Sequence, residues 1–597
     1  MSISGEKASR YQNEPAVVCC RQESGQILGA EHLEDPVIIP DLVDSGILTL
    51  DHCLTIGQVL GKKLTKTLDP LTPVTPDVLE ETIILEKEDI HLGTGGPTKG
   101  AKYLRLNIGR GENISFEIPI EFFDMNVKGV QGLTPVLSTA SNESLLRADL
   151  VEDEERVMSD RSRQKRVKRS LIIRQVTVHQ VVLGKATVWK DGTLTIDEGL
   201  ALKAIEFDPL VKNVTIDVIN PGDRDQETDT IMDVIPIAAK VQGELGEGVT
   251  NVFQGVVVIL TGVDEDGKQI GEFGSSAGKL SERIKFGRPG APDHEDIIIR
   301  VRVVIAAGTG MERQGPYATH KATDYIIQNV REYLKKLGPE NAGDEKEYHD
   351  VDRPGRPRVL IVKEIMGQGA MHDNIILPKE PAGVIEGRPN VDLGNLPVLL
   401  TPNEVRDGGI HALVCVGPAS KETTRHYFRE PLVEELASDE ELNLIGVIFV
   451  GSPQANQEKF YVSRRLGALI EAMDVDGVII TTEGFGNNHI DFASHIEQIG
   501  KRGIPVVGMT YSSVQGALII GNRYMDALVD LNKSETGGET EVLAENTLCP
   551  DDARRAAAML KNKIAGMEIL APARRWSKEV LIHNQALVNG RGQSGNG

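Results

Sequence analysis

A single cysteine, Cys415, lies in a segment whose residue types suit nucleophilic chemistry. Val414 precedes it, and Gly417-Pro418 ends the apolar run that contains it. Donor and cationic side chains follow at once, namely Ser420, Lys421, Thr423, Thr424, Arg425, His426 and Arg429. Such neighbours can lower the pKa of a thiol and make it a nucleophile. Free cysteine is also common in protein cores, so an inert buried thiol is the alternative interpretation.

The elements around Cys415 are expected to place it at the edge of a sheet. The run Ile410–Val416 is apolar apart from His411, which predicts a buried strand with Cys415 at its carboxyl end. Open α/β sheets bind their ligands at that edge. A second predicted strand, Gly477–Thr482, is followed by polar residues that would share the edge, namely Glu483, Asn487, Asn488 and His489. A turn with Asn488 as helix N-cap is the structural alternative.

The chain of 597 residues is too long for one ordinary core, and composition shifts divide it. We predict a β-rich N-terminal domain at 1–150, a charged linker at 151–170, an α+β middle domain at 171–337 and a Gly/Pro-rich linker at 338–357. From 358 to 597, short apolar strands alternate with amphipathic helices. This predicts an α/β domain with a doubly wound, mostly parallel sheet.

The composition narrows the possible partners and the compartment. A net charge of −23 and a pI near 5.1 argue against binding to nucleic acids or anionic membranes. No apolar run approaches membrane-spanning length, and the N-terminus lacks the apolar core of a signal peptide, so a cytoplasmic protein is expected.

The other cysteines give no framework for a disulfide or a metal. Cys19 and Cys20 are adjacent, and Cys53 and Cys549 are isolated, so we interpret them as thiols of unassigned role. No cluster of His and Cys has the spacing of a zinc site, and no metal is predicted from the sequence.

Long strings of the sequence resemble a known family. They are the segment DGGIHALVCVGPASKETTRHYFREP around Cys415, the block from Glu483 to Ser534 that begins EGFGNNHIDFASHIEQIG, and NVTIDVINPGDRDQETDTIMDVIPIAAKVQG from Asn213. In these strings the chain resembles the D-proline reductase proproteins, which are related to the glycine, sarcosine and betaine reductase proproteins. The resemblance extends over nearly the whole chain.

The resemblance implies that the chain cuts itself before Cys415 and that the cysteine becomes a pyruvoyl cofactor. The thiol attacks the preceding carbonyl to give a thioester, and β-elimination and hydrolysis then give the pyruvoyl group and ammonia. A base would assist, and His411 and His426 are the nearest candidates in sequence. Their structural alternatives are a histidine that faces the sheet and one that opens a helix.

The same resemblance implies reductive ring opening of D-proline to 5-aminovalerate. The pyruvoyl carbonyl would condense with the ring nitrogen, and a selenocysteine-containing reductase subunit would attack the substrate. A dithiol or an electron-transfer protein would then reset the selenium. The expected assembly is therefore a hetero-oligomer acting on a small amino acid, with Lys421, Arg425 and Arg429 as candidates to hold the substrate carboxylate.

One residue departs from the family pattern. These proproteins have Thr or Asn before the cysteine, whereas this chain has Val414, which lacks a polar group near the reacting carbonyl. Two alternatives stay open. One is a reductase of the same class that acts on glycine, betaine or a proline derivative, and the other is an uncleaved, non-catalytic relative.

Overall fold

The computed structural model describes residues 3, 5–19, 22–34, 36, 39, 48–50, 52–68, 72–80, 103–108, 114–119, 165–271, 276–310, 313–366, 373–413, 422–482, 488–511, 520–534, 540–567 and 569. The chain divides into two compact units. The first comprises residues 1–80 with 160–597, and the second comprises residues 81–159. Each unit is described separately.

The smaller unit contains one antiparallel hairpin of β1 (Tyr103–Ile108) and β2 (Ile114–Pro119). Residues in these segments alternate between apolar and polar types, as expected of strands with two different faces. Both strands lie within the region 1–150 that the sequence predicts to be β-rich.

Residues 1–80 belong to the larger unit. Among their described residues, helices α1 (Gly5–Arg10) and α2 (Ile56–Val59) and two 3-10 turns, Ala30–His32 and Pro76–Val78, enclose a small apolar core. Isolated β-bridges connect segments of this core.

Two four-stranded sheets form the centre of the larger unit. One has the spatial order β10 (Ala238–Gln242), β11 (Gly248–Gln254), β3 (Arg166–Thr177), β15 (Glu345–Asp352). The other has the order β7 (Val211–Ile219), β14 (Ile297–Ile305), β12 (Val256–Asp264), β9 (Thr230–Ile235). In each sheet the central pair is parallel and the outer pairs are antiparallel.

Shorter elements surround these sheets. The short strands are β4 (Gln180–Gly184), β5 (Val188–Lys190), β6 (Thr193–Asp197), β8 (Glu227–Thr228) and β13 (Gly278–Lys279). The helices are α3 (Leu200–Ile205), α4 (Leu280–Arg283) and α5 (Gln314–Leu334). Helix α5 buries Ile326, Ile327, Val330 and Leu334, which repeat at helical spacing, against the apolar core.

The two predicted linkers contain strands. The basic residues 166–170 begin β3, and β15 lies within the segment 338–357. The two strands pair with each other antiparallel, so their backbone groups bond within a sheet rather than with water. A charged composition predicted exposure correctly for residues 166–170 but did not reveal the pairing. The domain boundaries themselves stay predictions.

A six-stranded sheet carries the C-terminal region. Its spatial order is β19 (Val398–Leu400), β21 (Asn443–Ser452), β16 (Arg358–Met366), β22 (Gly477–Thr482), β23 (Val506–Thr510), β24 (Leu528–Asp530). The pairs β21–β16, β16–β22, β22–β23 and β23–β24 are parallel, and β19 is antiparallel to β21. The mixed α/β class predicted from the sequence is confirmed.

Helices cover both faces of this sheet. Helices α8 (Pro431–Ser438) and α11 (Pro550–Ile564) pack with Val359 and Ile361 of β16 in one apolar cluster. Helices α9 (Asn456–Ala472) and α10 (Asn488–Gly500) pack with Leu360 and Val362 in another. Successive residues of a strand point to opposite faces, so β16 contributes to both clusters.

The prediction of a strand over Ile410–Val416 in the parallel sheet is wrong for the described residues. Only Ile410–His411 form a strand, β20, and it pairs antiparallel with β17 (Ile375–Ile376). Together with β18 (Arg388–Pro389) these make a separate three-stranded sheet. An apolar run indicates that a strand is buried, but it does not determine the strand with which it pairs, because pairing depends on tertiary packing.

Two short helices flank this small sheet. They are α6 (Pro402–Arg406), which begins at the capping Thr401, and α7 (Thr424–Phe428), which begins at the capping Thr423. A 3-10 turn covers Asn390–Leu393, and another covers Pro339–Asn341 after α5. Among the helices that the structure describes, none has the length and hydropathy needed to cross a bilayer.

Candidate functional site

Five of the residues predicted for the site lie outside the described residues. They are Val414, Cys415, Lys421, Glu483 and Asn487. The structure describes His411, Arg425, His426, Arg429, Asn488 and His489, and with them the surroundings of the segment that carries the cysteine.

Both ends of the segment 414–421 are held by buried side chains. The backbone N–H of Ala412 donates to Thr424 Oγ1 at 2.8 Å, and that of Leu413 donates to Asn374 Oδ1 at 3.1 Å. On the far side, Thr423 caps helix α7 and donates its hydroxyl proton to the carbonyl of Gly290 at 2.8 Å. The bond from Ala412 to Thr424 therefore brings the two ends of the segment together.

His411 lies in a fully buried cluster with Asp233 of β9 and His320 of α5. Its Nε2 is 3.8 Å from Asp233 Oδ2, and the Nε2 of His320 is 3.7 Å from the same oxygen. Thr424 donates to that oxygen through its hydroxyl at 2.6 Å. Burial lowers the pKa of His411 and so favours the neutral imidazole. The Asp233 carboxylate raises that pKa, but its effect is smaller than that of burial.

His426 lies in a second buried cluster, on the α8 side of the six-stranded sheet. Lys363 Nζ is 2.5 Å from Glu422 Oε1 and 2.8 Å from Glu430 Oε2, and His426 Nε2 is 3.0 Å from Glu430 Oε2. Burial alone would raise the pKa of Glu430, but the charges of Lys363 and His426 outweigh it and lower that pKa to about 2. Burial would likewise lower the pKa of Lys363, yet the two carboxylates raise it.

Arg425 and Arg429 donate to acidic side chains. Arg425 is buried and contacts Asp293 at 2.8 Å and Asp296 at 2.6 Å, and Arg429 contacts Asp293 at 3.0 Å. All four side chains line a cleft of ≈ 500 Å³. The guanidinium groups join the segment after the cysteine to residues more than a hundred positions earlier in the chain.

Asn488 and His489 begin helix α10 at the carboxyl edge of the six-stranded sheet, and both are buried. His489 Nε2 is 3.0 Å from Thr510 Oγ1 at the end of β23, and burial lowers the pKa of His489 to about 4. Asn488 interacts with the side chain of Glu364 on β16. The structure therefore brings these two predicted residues to the edge where the strands end.

Glu364 is the centre of this third group. Thr482 donates to its Oε1 at 2.9 Å, and His495 Nε2 lies 3.8 Å from its Oε2. Burial, together with the charge of Asp491, raises the pKa of Glu364 well above its ordinary value. A carboxyl group of this kind is favoured in its neutral form and can donate a hydrogen bond.

Comparison with known proteins identifies the family of the chain. The family model described as glycine/sarcosine/betaine reductase component B subunits matches residues 169–529. The chain belongs to this component B family. The match covers the central sheets, the small sheet that contains His411, and the six-stranded sheet through β24.

Individual relatives agree with the family match. The chain is 50% identical to the D-proline reductase proprotein PrdA of Acetoanaerobium sticklandii, over 98% of this chain and 95% of the relative. It is 25% identical to the glycine reductase complex component B subunits alpha and beta of the same organism, over 62% of this chain and 86% of the relative. It is 23% identical to the betaine reductase complex component B subunit alpha of Peptoclostridium acidaminophilum, over 69% of this chain and 95% of the relative. No solved structure matches the chain.

Sequence reasoning missed several buried polar residues around the candidate site, namely Asp233, His320, Lys363 and Glu364. One signal was available for the pair on β16. The run VLIVKEIM places Lys363 and Glu364 inside an otherwise apolar strand, and a charge in such a place needs a partner or a changed protonation state. Asp233 similarly interrupts the apolar β9.

Proposed function

We propose that this chain is a proprotein that cleaves itself between Val414 and Cys415, and that its fragments are the substrate-binding subunits of a D-proline reductase. The observation that carries the proposal is the 50% identity, over 98% of the chain, to a relative named as a D-proline reductase proprotein. The fragments would be residues 1–414 and the 183 residues 415–597.

The proposed cleavage needs no external oxidant or reductant. The Cys415 thiol attacks the carbonyl carbon of Val414, which moves the acyl group from nitrogen to sulfur and frees the amine of Cys415. Loss of the Cα proton and breakage of the Cβ–S bond give a dehydroalanyl end and a thiocarboxylate on Val414. Water then converts the enamine to the pyruvoyl group with release of ammonia, and the thiocarboxylate to a carboxylate with release of hydrogen sulfide.

Anchored flanks support this chemistry. Thr424 and Asn374 fix the two backbone amides that precede Val414, and Thr423 fixes the return of the chain. A reacting carbonyl is attacked more readily when the backbone on each side has little freedom to move away. Of the two predicted bases, His411 directs its ring nitrogens at the Ala382 carbonyl and the Asp233 carboxylate, and His426 bonds to Glu430, so we assign neither of them as the base.

The proposed reaction is reductive opening of D-proline to 5-aminovalerate within a multi-subunit complex. When formed, the pyruvoyl group supplies an electron sink for cleavage of the bond between Cα and nitrogen. A selenocysteine-containing subunit and a dithiol or electron-transfer protein would supply the electrons, since this chain has no selenocysteine.

For the substrate we propose a pocket at the carboxyl edge of the sheet. Its residues would be Lys421, Glu483, Asn487, Asn488 and His489. Arg425 and Arg429 already pair with Asp293 and Asp296, so we assign them to holding the segment rather than the substrate carboxylate.

Val414 favours a second candidate, an uncleaved relative without catalytic activity. Valine removes the hydroxyl or amide that the family pattern places before the cysteine, although it leaves the nucleophile in place. On this alternative the chain would keep a free thiol at position 415.

Intact-mass measurement of the purified protein under denaturing conditions separates these candidates. We expect two chains that meet at Val414/Cys415, the smaller one blocked at its N-terminus and reactive toward a hydrazine. Cys415→Ala should give one intact chain, and Val414→Thr should increase the rate of cleavage. A single uncut chain with a free thiol in both the parent and Val414→Thr would contradict the proposal. Cleavage without D-proline turnover in the presence of the partner subunits would reject only the substrate.

A further inference from the structure

In the cluster of Asp233, His320 and His411, hydrogen bonds within the protein leave the Nε2 atoms of both histidines without a partner. The Nδ1 of His320 is 2.7 Å from the carbonyl oxygen of Pro316, and the Nδ1 of His411 is 2.8 Å from that of Ala382. A carbonyl accepts only from a protonated nitrogen, so each ring carries its proton on Nδ1. The Nε2 of each ring is then the nitrogen left to face Asp233 Oδ2, at 3.7 Å for His320 and 3.8 Å for His411.

The Nε2 atoms of His320 and His411 both face the carboxylate of Asp233. Neither Nε2 has a hydrogen-bond partner, and all three side chains have no exposure to solvent. The three ligand atoms lie within 4.8 Å of one another, and the two imidazole rings meet edge to face with centroids 5.3 Å apart. Three electron-rich atoms that converge in a dry interior repel one another unless a cation lies between them.

We propose that Asp233, His320 and His411 bind one zinc ion. Two imidazole nitrogens and a carboxylate oxygen are ligands that Zn²⁺ prefers, and the backbone carbonyls on both Nδ1 atoms are the usual partners that orient such ligands. Tetrahedral bonds of about 2.0–2.1 Å separate ligand atoms by about 3.4 Å. The two separations from Asp233 Oδ2, 3.7 and 3.8 Å, exceed this by a few tenths of an ångström, and the two Nε2 atoms lie within 4.8 Å of each other.

The carboxylate of Asp233 is already oriented for this role. Its Oδ1 accepts from the backbone N–H groups of Val234 at 2.7 Å and Thr424 at 2.9 Å, and its Oδ2 accepts from the Thr424 hydroxyl. The second lone pair of Oδ2 remains for the ion. Three protein ligands leave a fourth coordination position for water.

The other buried group with suitable ligands does not need a metal. Glu422, His426 and Glu430 also converge, but Lys363 Nζ lies between the two carboxylates and supplies the positive charge. Although His426 Nδ1 and Glu422 Oε2 make no hydrogen bond, that cluster already holds a cation between its carboxylates, whereas the described residues around His411 place none between their ligand atoms. This difference selects one site of the two.

The ion would fix the strand that leads to Cys415. Asp233 lies on β9, His320 on α5 and His411 on β20, so one ion would join three segments that are 87 and 91 residues apart in sequence. All three ligands precede position 414. The site therefore goes beyond the proposed function and does not depend on cleavage, and the uncut Cys415→Ala chain carries it as well.

The test begins with the full-length protein, in both the parent and the Cys415→Ala form. After equilibration with Zn²⁺ and removal of free metal, elemental analysis should give one zinc per chain. X-ray absorption at the zinc edge should show nitrogen and oxygen ligands at about 2.0–2.1 Å, the scattering pattern of two imidazoles, and no sulfur. This measurement needs no variant that could fail to fold.

Variants then locate the ion. His320→Ala and His411→Ala should each weaken zinc binding by at least about 100-fold, because changes to the partners of metal ligands alone cost about 10- to 100-fold. His426→Ala, which alters the other buried cluster, is the matched control and should retain full zinc binding. Absence of zinc from the equilibrated parent protein, sulfur ligation, or loss of zinc only in His426→Ala would each overturn the proposal.

Discussion

Lys363 and Glu364 are consecutive residues of β16, and neither is exposed to solvent. Lys363 faces the layer of α8, where two carboxylates and a histidine surround its ammonium group. Glu364 faces the layer of α10, where Asp491 is a second acid and the raised pKa favours a neutral carboxyl. The charge of Lys363 is thus stabilised by pairing with two carboxylates. The neighbouring Glu364 is instead favoured in its protonated, neutral form.

The comparison teaches that the two faces of one strand respond differently to the loss of a charge. Removing one member of a paired buried cluster leaves the others charged and uncompensated. Replacing a neutral acid by a neutral amide exchanges a hydroxyl group for an amino group in a hydrogen-bond network and leaves no uncompensated charge. The experiments below use this difference, beginning with the largest expected effect.

Lys363→Met should cause the largest loss of stability. Glu422 and Glu430 would remain buried without the ammonium group that joins them, and breaking a buried pair in this way costs about 3–5 kcal/mol. Urea denaturation followed by circular dichroism at pH 7 measures the loss. A cost below about 1 kcal/mol would mean that these carboxylates are neutralised by protonation, as on the Glu364 face.

Mild acid should weaken the Glu364 face before the Lys363 face. Burial lowers the pKa of His489 to about 4 and, with the nearby charge of Lys459, that of His495 to about 3, against an ordinary 6.5. Below pH 6.5 the unfolded chain protonates these two histidines and the folded chain does not, so their contribution to stability falls as the pH falls, while the raised pKa of Glu364 acts in the opposite direction. Each histidine costs about 1.4 kcal/mol per pH unit in this range.

The Lys363 face has a later transition in acid. The pKa of Glu430 is lowered to about 2 from 4.5, so its contribution is complete above pH 4.5 and is lost as the pH falls toward 2. Unfolding free energies at pH 7, 6 and 5 for the parent and for His489→Gln/His495→Gln check this order. The variant should show a flatter profile between pH 6.5 and 5, and an unchanged slope would contradict the assignment.

Glu364→Gln should have the smallest effect, below about 1 kcal/mol at pH 7. The amide keeps the size of the neutral carboxyl, and its carbonyl can still accept from Thr482. The measurement is the same denaturation experiment as for Lys363→Met, for which this variant is the matched control. A loss as large as that of Lys363→Met would show that Glu364 is ionised and paired in the folded protein.

Several elements were predictable because their signals are local. β22 has the predicted bounds Gly477–Thr482, and α11 begins at Pro550 with two acidic residues in its first turn. Both have uninterrupted periodicity or clear terminal residues. The short strand β24 was missed, since Leu528–Asp530 is too brief to give a periodic pattern.

The buried clusters were largely out of reach because their members are distant in sequence. Arg425 appeared available for a substrate, but Asp293 and Asp296 lie about 130 positions earlier and pair with it. His411 was identified as a candidate, whereas its neighbours Asp233 and His320 were not. Spacing reveals a cluster only when one element supplies most of it, and here each residue comes from a different element.

The order of strands in the six-stranded sheet has a consequence for the timing of biosynthesis. β16 precedes position 414, and both of its neighbours, β21 and β22, follow it. A peptide bond cut at position 414 before this sheet had closed would release a fragment whose strand has two open edges and no partner on its own chain. The proposed cut would therefore have to follow closure of this sheet, and a gene divided at this position would encode two polypeptides that each supply strands to one sheet. Synthesis as one continuous chain supplies each half to the other at a fixed ratio and high local concentration.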